Sequence, residues 1–290
     1  MFLGIEIGGT KLQLALGRGD GSLKGIVRRK VQPGAGAVGI RRQILEAYPE
    51  LLATAEVDAS QVQACGIGFG GPVDLKTRSV ITSHQIADWD GFPLAEWAEE
   101  KLTLKTVIAN DADTAGLGET SFGAGQGCDP IFYMTVGSGI GGGLIVGGRI
   151  YAGVGRGAAE IGHLYLDGDD NRHTLEQLAS GWAIERAAGC PLPELAKRAE
   201  AGDKQAGMFI RRAVQALSEA LVHVIALLCP ERIIIGGGVS LIGETLFFAP
   251  LRELVDRHTF TPFRGLTSIV PAALGEEVVL HGALALAEQA

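Results

Sequence analysis

Residues 131–146 read IFYMTVGSGIGGGLIV, and the reading of this stretch decides the fold. Ile131–Val136 is an apolar run rich in β-branched and aromatic residues, which predicts a strand. Gly137-Ser138-Gly139-Ile140-Gly141-Gly142-Gly143 predicts a tight turn. Leu144–Val146 predicts the returning strand, Gly147-Gly148 a second turn and Arg149–Tyr151 its continuation. Residues 137–142 formally satisfy G-x-G-x-x-G, but a dinucleotide fingerprint needs a helix next, and here a strand follows. No Gly-Lys dipeptide occurs in the chain, so a Walker A loop is absent as well. What remains is a β-hairpin whose glycines let backbone N–H groups approach an anion closely.

The N-terminus repeats this plan. Phe2–Ile7 predicts a strand, Gly8-Gly9-Thr10-Lys11 a turn, and Leu12–Leu16 the return, with a third strand at Ile26–Val31. A helix is predicted from Val38 to Ala55 and a strand over Ala64–Phe69, closed by Gly70-Gly71-Pro72. A helix over Leu94–Lys101 follows, then a strand from Thr106 to Ala109 and a helix through Gly118. The second half adds helices at Leu175–Ala188, Pro193–Ala201, Lys204–Leu228 and Ser240–Arg257, a strand at Arg232–Ile235 and a last helix over Glu276–Gln289. A duplicated strand–turn–strand scheme predicts an α/β protein of two similar lobes with a cleft between them. The lobes are expected at 1–118 and 119–275, with the terminal helix, 276–290, crossing back onto the first. Two opposed hairpin cradles could grip one polyphosphate from both sides.

Three further segments carry candidate chemistry. Ile233-Ile234-Ile235-Gly236-Gly237-Gly238-Val239-Ser240 reads equally as close strand–helix packing or as a flat backbone surface for an adenine ring or ribose. Asn110-Asp111-Ala112-Asp113 lies at a strand-to-helix junction, where Asn and Asp are common N-caps. A carboxylate in the first helical turn is also favoured ionised by the helix dipole and suits a general base that orients a hydroxyl. Glu160-Ile161-Gly162-His163 places Glu160 and His163 on one face of a helical turn. With Glu176, they offer the carboxylates and imidazole that bind sugar hydroxyls; a solvated polar loop is the plain alternative.

Composition narrows the class. The 290 residues are 47% hydrophobic, which requires a packed core. The net charge of −8 and a longest basic run of only Arg28-Arg29-Lys30 argue against a nucleic-acid or anionic-membrane partner. Four scattered cysteines without a CxxC pair, and an N-terminus without a basic region, predict a reduced, cytoplasmic protein. Glycine, at 43 residues, is about twice its usual ~7% share.

Taken together and in order, these motifs resemble the ROK family of sugar kinases and related repressors, over nearly the whole chain. GIEIGGTK at 4–11 resembles its first phosphate motif and Thr135–Gly143 its second. GIGFGGPVD at 66–74 resembles its sugar-side loop. Asn110-Asp111-Ala112 resembles its catalytic motif, Glu160–His163 and Leu175-Glu176 its sugar-binding segments, and Gly236–Gly238 its adenosine loop. The resemblance implies a two-lobed, actin-like, hexokinase-type (ribonuclease H-like) ATPase fold. It implies transfer of the ATP γ-phosphate to a sugar hydroxyl, usually O6, with Asp111 as base. Sugar would be bound by Gly71, Asn110, Asp111, Glu160, His163 and Glu176. ATP would be bound by Gly8, Gly9, Thr10, Lys11, Gly137, Ser138, Gly139 and Gly237, and Mg²⁺ would be held through water by Glu6. A homodimer is also implied.

Four features depart from the family pattern. Glu6 stands where the family has Asp, and Asp113 where it has Asn. Ser83-His84-Gln85 replaces a segment that often carries Asn near the sugar. Where the family often binds structural zinc through one His and three Cys, residues 167–174 contain no cysteine, so no thiolate zinc site is expected. His163, Asp167, Asp169 and His173 could ligate a metal, but a Gly/Asp/Asn cluster more often forms a solvated turn. The rival expectations are a non-enzymatic sugar sensor and an inactive kinase homologue. The strand beginning at Phe2, with no DNA-binding segment before it, and the acidic charge both favour the kinase.

Overall fold

The computed structural model describes residues 1–83, 85–166 and 173–290; His84, Asp167 and Asp169 therefore lie outside the described residues. The chain forms two compact units. The first comprises residues 1–126, 143–158 and 273–290, and the second residues 127–142 and 159–272. Among the described residues no helix is long and apolar enough to cross a membrane.

The first sheet contains β1 (Phe2–Ile7), β2 (Lys11–Gly17), β3 (Leu23–Lys30), β4 (Ala64–Phe69) and β7 (Lys105–Asn110), in the order β3-β2-β1-β4-β7. β2 runs antiparallel to both β1 and β3, whereas β4 is parallel to β1 and β7. A small ribbon, β5 (Val73–Asp74) with β6 (Ser79–Val80), lies between β4 and β7 in the chain. The second sheet repeats the order: β10 (Arg149–Ile150), β9 (Ile140–Val146), β8 (Ile131–Val136), β11 (Arg232–Gly236), β12 (Ser268–Pro271). Here β11 is parallel to β8 and β12. The duplication read from the two Gly-rich hairpins therefore extends to whole sheets.

Helices complete the units: α1 (Gly36–Ala55), α2 (Leu94–Leu102), α3 (Asp111–Phe122), α4 (Leu175–Ala179), α5 (Gly181–Ala188), α6 (Leu192–Glu200), α7 (Lys204–Leu228), α8 (Ala249–His258) and α9 (Val278–Glu288). α7 shows why these segments are helical. Asp203 caps it by accepting the N–H groups of Gln205 and Ala206. Its buried Ile210, Val214, Leu217, Leu221 and Val224 then recur at helical spacing. α9 is apolar on every side and is almost wholly buried against α3, β1 and β4. That contact depends on missing side chains. A Cβ on Gly282 would lie 1.7 Å from the Thr114 carbonyl oxygen, and one on Gly66 would lie 1.9 Å from that of Ala283. These glycines thus serve the close packing of α9 on α3 and on the sheet, a use that glycine placement at strand ends did not reveal.

Three sequence expectations need correction. β9 begins at Ile140, not Leu144, because Gly141–Gly143 are strand residues. Their glycines are needed for close approach: a Cβ on Gly143 would sit 2.8 Å from the Ala112 carbonyl oxygen. The helix expected over Leu175–Ala188 is two helices, broken at the extended Ser180, whose hydroxyl caps α5 by accepting the Ala183 N–H. The helix expected over Ser240–Arg257 is broken at Gly243, where φ is +91°, and becomes regular only as α8. β12 was absent from the sequence reading; it is a four-residue edge strand bounded by Pro271.

Candidate functional site

In the first unit, three loops follow the C-terminal ends of the parallel strands β1, β4 and β7, the end at which open α/β sheets collect ligands. The Gly8–Thr10 turn is closed by the Gly8 N–H donating to the Lys11 carbonyl at 2.9 Å, leaving Gly9 and Thr10 at its tip. After β4, the Gly70 N–H donates to the Ile7 carbonyl at 2.8 Å, tying that loop to the turn. After β7, the Asn110 amide donates to the Gly71 carbonyl at 3.1 Å, while its oxygen caps α3 by accepting the Ala112 N–H at 2.8 Å. Asp111 is the first residue of α3 and accepts the Ala112 N–H at 2.9 Å. Its other carboxylate oxygen lies 3.6 Å from where a Gly70 Cβ would be. Gly70, Gly71, Asn110 and Asp111 thus share one small region beside the first turn.

Glu6 sits beneath that turn. Its carboxylate is 3.5 Å from the Lys11 ammonium and accepts the Gln13 amide at 2.7 Å, and the Gln13 oxygen accepts the Arg28 guanidinium at 2.6 Å. Burial is the largest influence on Glu6 and raises its pKa above the usual carboxylate value despite the opposing Lys11 charge. The Gln85 side chain lies directly over Gly9, in the place where any Cβ at that position would go. The sequence reading put Gln85 near the sugar; within this unit it meets the Gly8–Thr10 turn.

In the second unit, the Gly137-Ser138-Gly139 turn is closed by the Gly137 N–H donating to the Gly139 carbonyl at 2.9 Å. Glu176, in the first turn of α4, accepts the Ile140 N–H at 2.8 Å, and a Cβ on Gly139 would stand 2.5 Å from the same oxygen. Glu176 therefore braces the turn directly, a contact that no sequence signal indicated. Glu160 precedes the short 3-10 turn Ile161–His163, and the His163 N–H donates to the Glu160 carbonyl at 3.1 Å. This segment is joined to α4 by the Leu175 N–H donating to the Leu164 carbonyl at 2.8 Å, so the two stretches paired in the sequence reading do meet. His173 lies at the start of α4's approach, and no described cluster of three His, Cys, Asp or Glu side chains could hold a metal ion.

The Gly236–Gly238 loop lies against the end of β8. Gly237 has φ +85°, and a Cβ there would be 2.5 Å from the Val136 carbonyl oxygen. The close-packing reading holds at Gly237, whereas Gly238 faces open space. Gly238 lines a cavity of about 720 Å³ together with Gly137 and Ser138, the α5 residue Trp182, and the α6 residues Pro193 and Lys197. The sequence reading missed Trp182, Pro193, Lys197 and Leu241 as cavity residues. A usable signal was the Ser180-Gly181 break: the Gly181 N–H donates to the Gly137 carbonyl at 2.7 Å and brings α5 onto the turn.

A protein-family model described as "ROK family" matches residues 2–290. The glucokinase of Thermotoga maritima is 32% identical over 99% of this chain and 97% of its own length. A putative fructokinase of Bacillus subtilis is 31% identical over 100% and 96%. The ROK family glucokinase of Streptomyces griseus, solved in complex with glucose and AMPPNP, superposes with a TM-score of 0.82 at 31% identity, covering 100% of this chain and 99% of that one. The actin-like ATPase fold is therefore shared with a solved relative over the full length.

Proposed function

The chain belongs to the ROK family, and from that membership we propose an ATP-dependent sugar kinase that transfers the γ-phosphate to a hydroxyl of a hexose or N-acetylhexosamine, glucokinase-like in its preference. The observation that carries this reading is the convergence of Gly70, Gly71, Asn110 and Asp111 beside the Gly8–Thr10 turn. A hydroxyl-orienting carboxylate next to a phosphate-type turn is what phosphoryl transfer asks of a protein.

The roles follow from the local chemistry. Asn110 spends its oxygen on the α3 N-terminus and its amide on Gly71, so it holds the loop in register while Asp111 accepts the sugar hydroxyl proton. On the second unit, Glu160 and His163 offer an acceptor and an imidazole to sugar hydroxyls, and Glu176 keeps one oxygen for the sugar while the other braces the Gly137–Gly139 turn. Nucleotide occupies the second-unit cavity, its phosphates on the Gly137–Gly139 turn and its base against the Gly237-Gly238 loop. On the first unit, Gly8, Gly9, Thr10 and Lys11 are assigned to phosphate binding. The hard carboxylate oxygens of Glu6, drawn into a buried site at that turn, fit a divalent cation held through water. Mg²⁺, when bound, neutralises charge on the phosphates. We place the protein in the cytoplasm, in keeping with its four free cysteines, and expect a homodimer from the family.

The test is ADP release against a panel of hexoses and N-acetylhexosamines, with the Asp111→Ala variant alongside. One sugar should stand well above the blank, and the variant should lose turnover by at least about 10²-fold while still binding ATP. A flat panel with ATP bound would instead indicate a sugar sensor or an inactive homologue.

A further inference from the structure

We propose that this kinase does not select adenine: it accepts guanine and other purine nucleoside triphosphates as phosphoryl donors with efficiency close to that of ATP. The inference rests on reading the second-unit cavity as the nucleotide site and adds to it the identity of the donor.

Discrimination between bases comes from buried polar groups that the wrong base leaves unpaired. Such groups are missing from the described walls of this cavity. Its buried lining, Gly181, Leu192, Ala196 and Val239, is apolar or without a side chain. The polar side chains that reach it, Ser138, Glu185, Lys197 and Glu200, all belong to exposed residues. Water satisfies them whichever base is present, so a mismatch costs little. Glu185 is further committed, accepting the Leu192 N–H at 2.8 Å. Lys197 donates and Glu200 accepts, which gives the pair partners on the edge of either purine.

From Val239 to Ile242 the backbone offers no donor to a base either. On the loop after β11 four successive N–H groups are used internally: Val239 donates to the Val136 carbonyl, Ser240 to Gly237, Leu241 to Gly238 and Ile242 to Val239, at 2.9–3.3 Å. The Gly237 carbonyl also accepts the Ser240 hydroxyl at 2.7 Å, and the Gly137 carbonyl accepts Gly181. What the site presents to a base is flat apolar surface: the exposed Trp182, Pro193 and Leu241, the last 84% exposed. Such surface binds a purine by area and stacking, which adenine and guanine supply alike.

The experiment is calorimetric titration of the full chain with MgADP and with MgGDP, followed by kcat/KM for ATP, GTP and ITP on the sugar found by the hexose panel. The dissociation constants, and the three kcat/KM values, should agree within about tenfold. A preference for adenine above tenfold overturns the inference and leaves the kinase reading intact. No binding of either diphosphate overturns the nucleotide assignment and the inference with it. A Gly238→Leu variant locates the site: the glycine's outward side meets no atom within 4 Å, so the fold tolerates the change while the side chain enters the cavity. Both diphosphates should weaken by the same factor, at least about tenfold. Loss of one alone, or of neither, also overturns the inference.

Discussion

The contact between Glu176 and the Gly137–Gly139 turn allows a sharp test, because two glycines of one turn should respond unequally to the same change. At Gly139 an added methyl would stand 2.5 Å from the Glu176 carboxylate oxygen, inside any permitted contact, whereas at Gly137 it meets no atom within 4 Å. In Gly139→Ala the carboxylate must move, and its 2.8 Å bond from the Ile140 N–H is lost. A hydrogen bond to a charged group contributes about 1.5–3 kcal/mol, so the melting temperature should fall by roughly 3–6 °C. Gly137→Ala should change it by less than about 1 °C. Differential scanning calorimetry reads both. Glu176→Ala removes the same bond, so Gly139→Ala added to it should cost little more, and the double-mutant coupling should be about 1.5–3 kcal/mol. Equal effects of the two alanines, or additivity within ~0.5 kcal/mol, would refute the idea that Glu176 braces the turn.

Two further outcomes follow from the first unit. Burial raises the Glu6 pKa, so its ionisation opposes folding: the stability it contributes is fully present below about pH 4.5 and is lost as pH rises through the folded value. Glu6→Gln should therefore raise the melting temperature at pH 7, with the gain vanishing near pH 4, while Mg²⁺-dependent turnover falls; no gain at pH 7 would mean that Lys11 and Gln13 fully offset burial. Gly282→Ala sets an overpacking cost of about 3 kcal/mol or more, from a methyl 1.7 Å from the Thr114 carbonyl oxygen, against ~1 kcal/mol of improved helix propensity. Net destabilisation of ~2 kcal/mol in urea unfolding is expected, and a stabilised variant would show that α3 and α9 separate freely.

Local chemistry was legible in the chain. The strand-to-strand setting of Gly137–Gly143 excluded a dinucleotide fold and forecast the hairpin; the repeat of that pattern at Gly8–Lys11 forecast a duplicated sheet, which the matching strand orders bear out. The Asn110 cap at the head of α3 was equally readable, since an N-cap is set by residues only two or three apart. Less legible were the features that need distant partners. The break at Ser180 exists because Gly181 must reach the Gly137 carbonyl, and periodicity within 175–188 carries no trace of that contact. The glycines of β9 look in sequence like turn residues; like Gly66 and Gly282, they are residues of regular elements at which a neighbouring backbone comes too close for a methyl group. Glu176 reads as a free carboxylate until the fold sets it under Ile140. Sequence by itself determined the elements, the turns and the inventory of chemical groups, because these follow from propensity and short-range hydrogen bonding. Tertiary structure alone decided which backbone lies against which glycine and which carboxylate is already engaged, because those contacts join residues far apart in the chain, as at Gly66 and Ala283, whose separation is 283 − 66 = 217 positions.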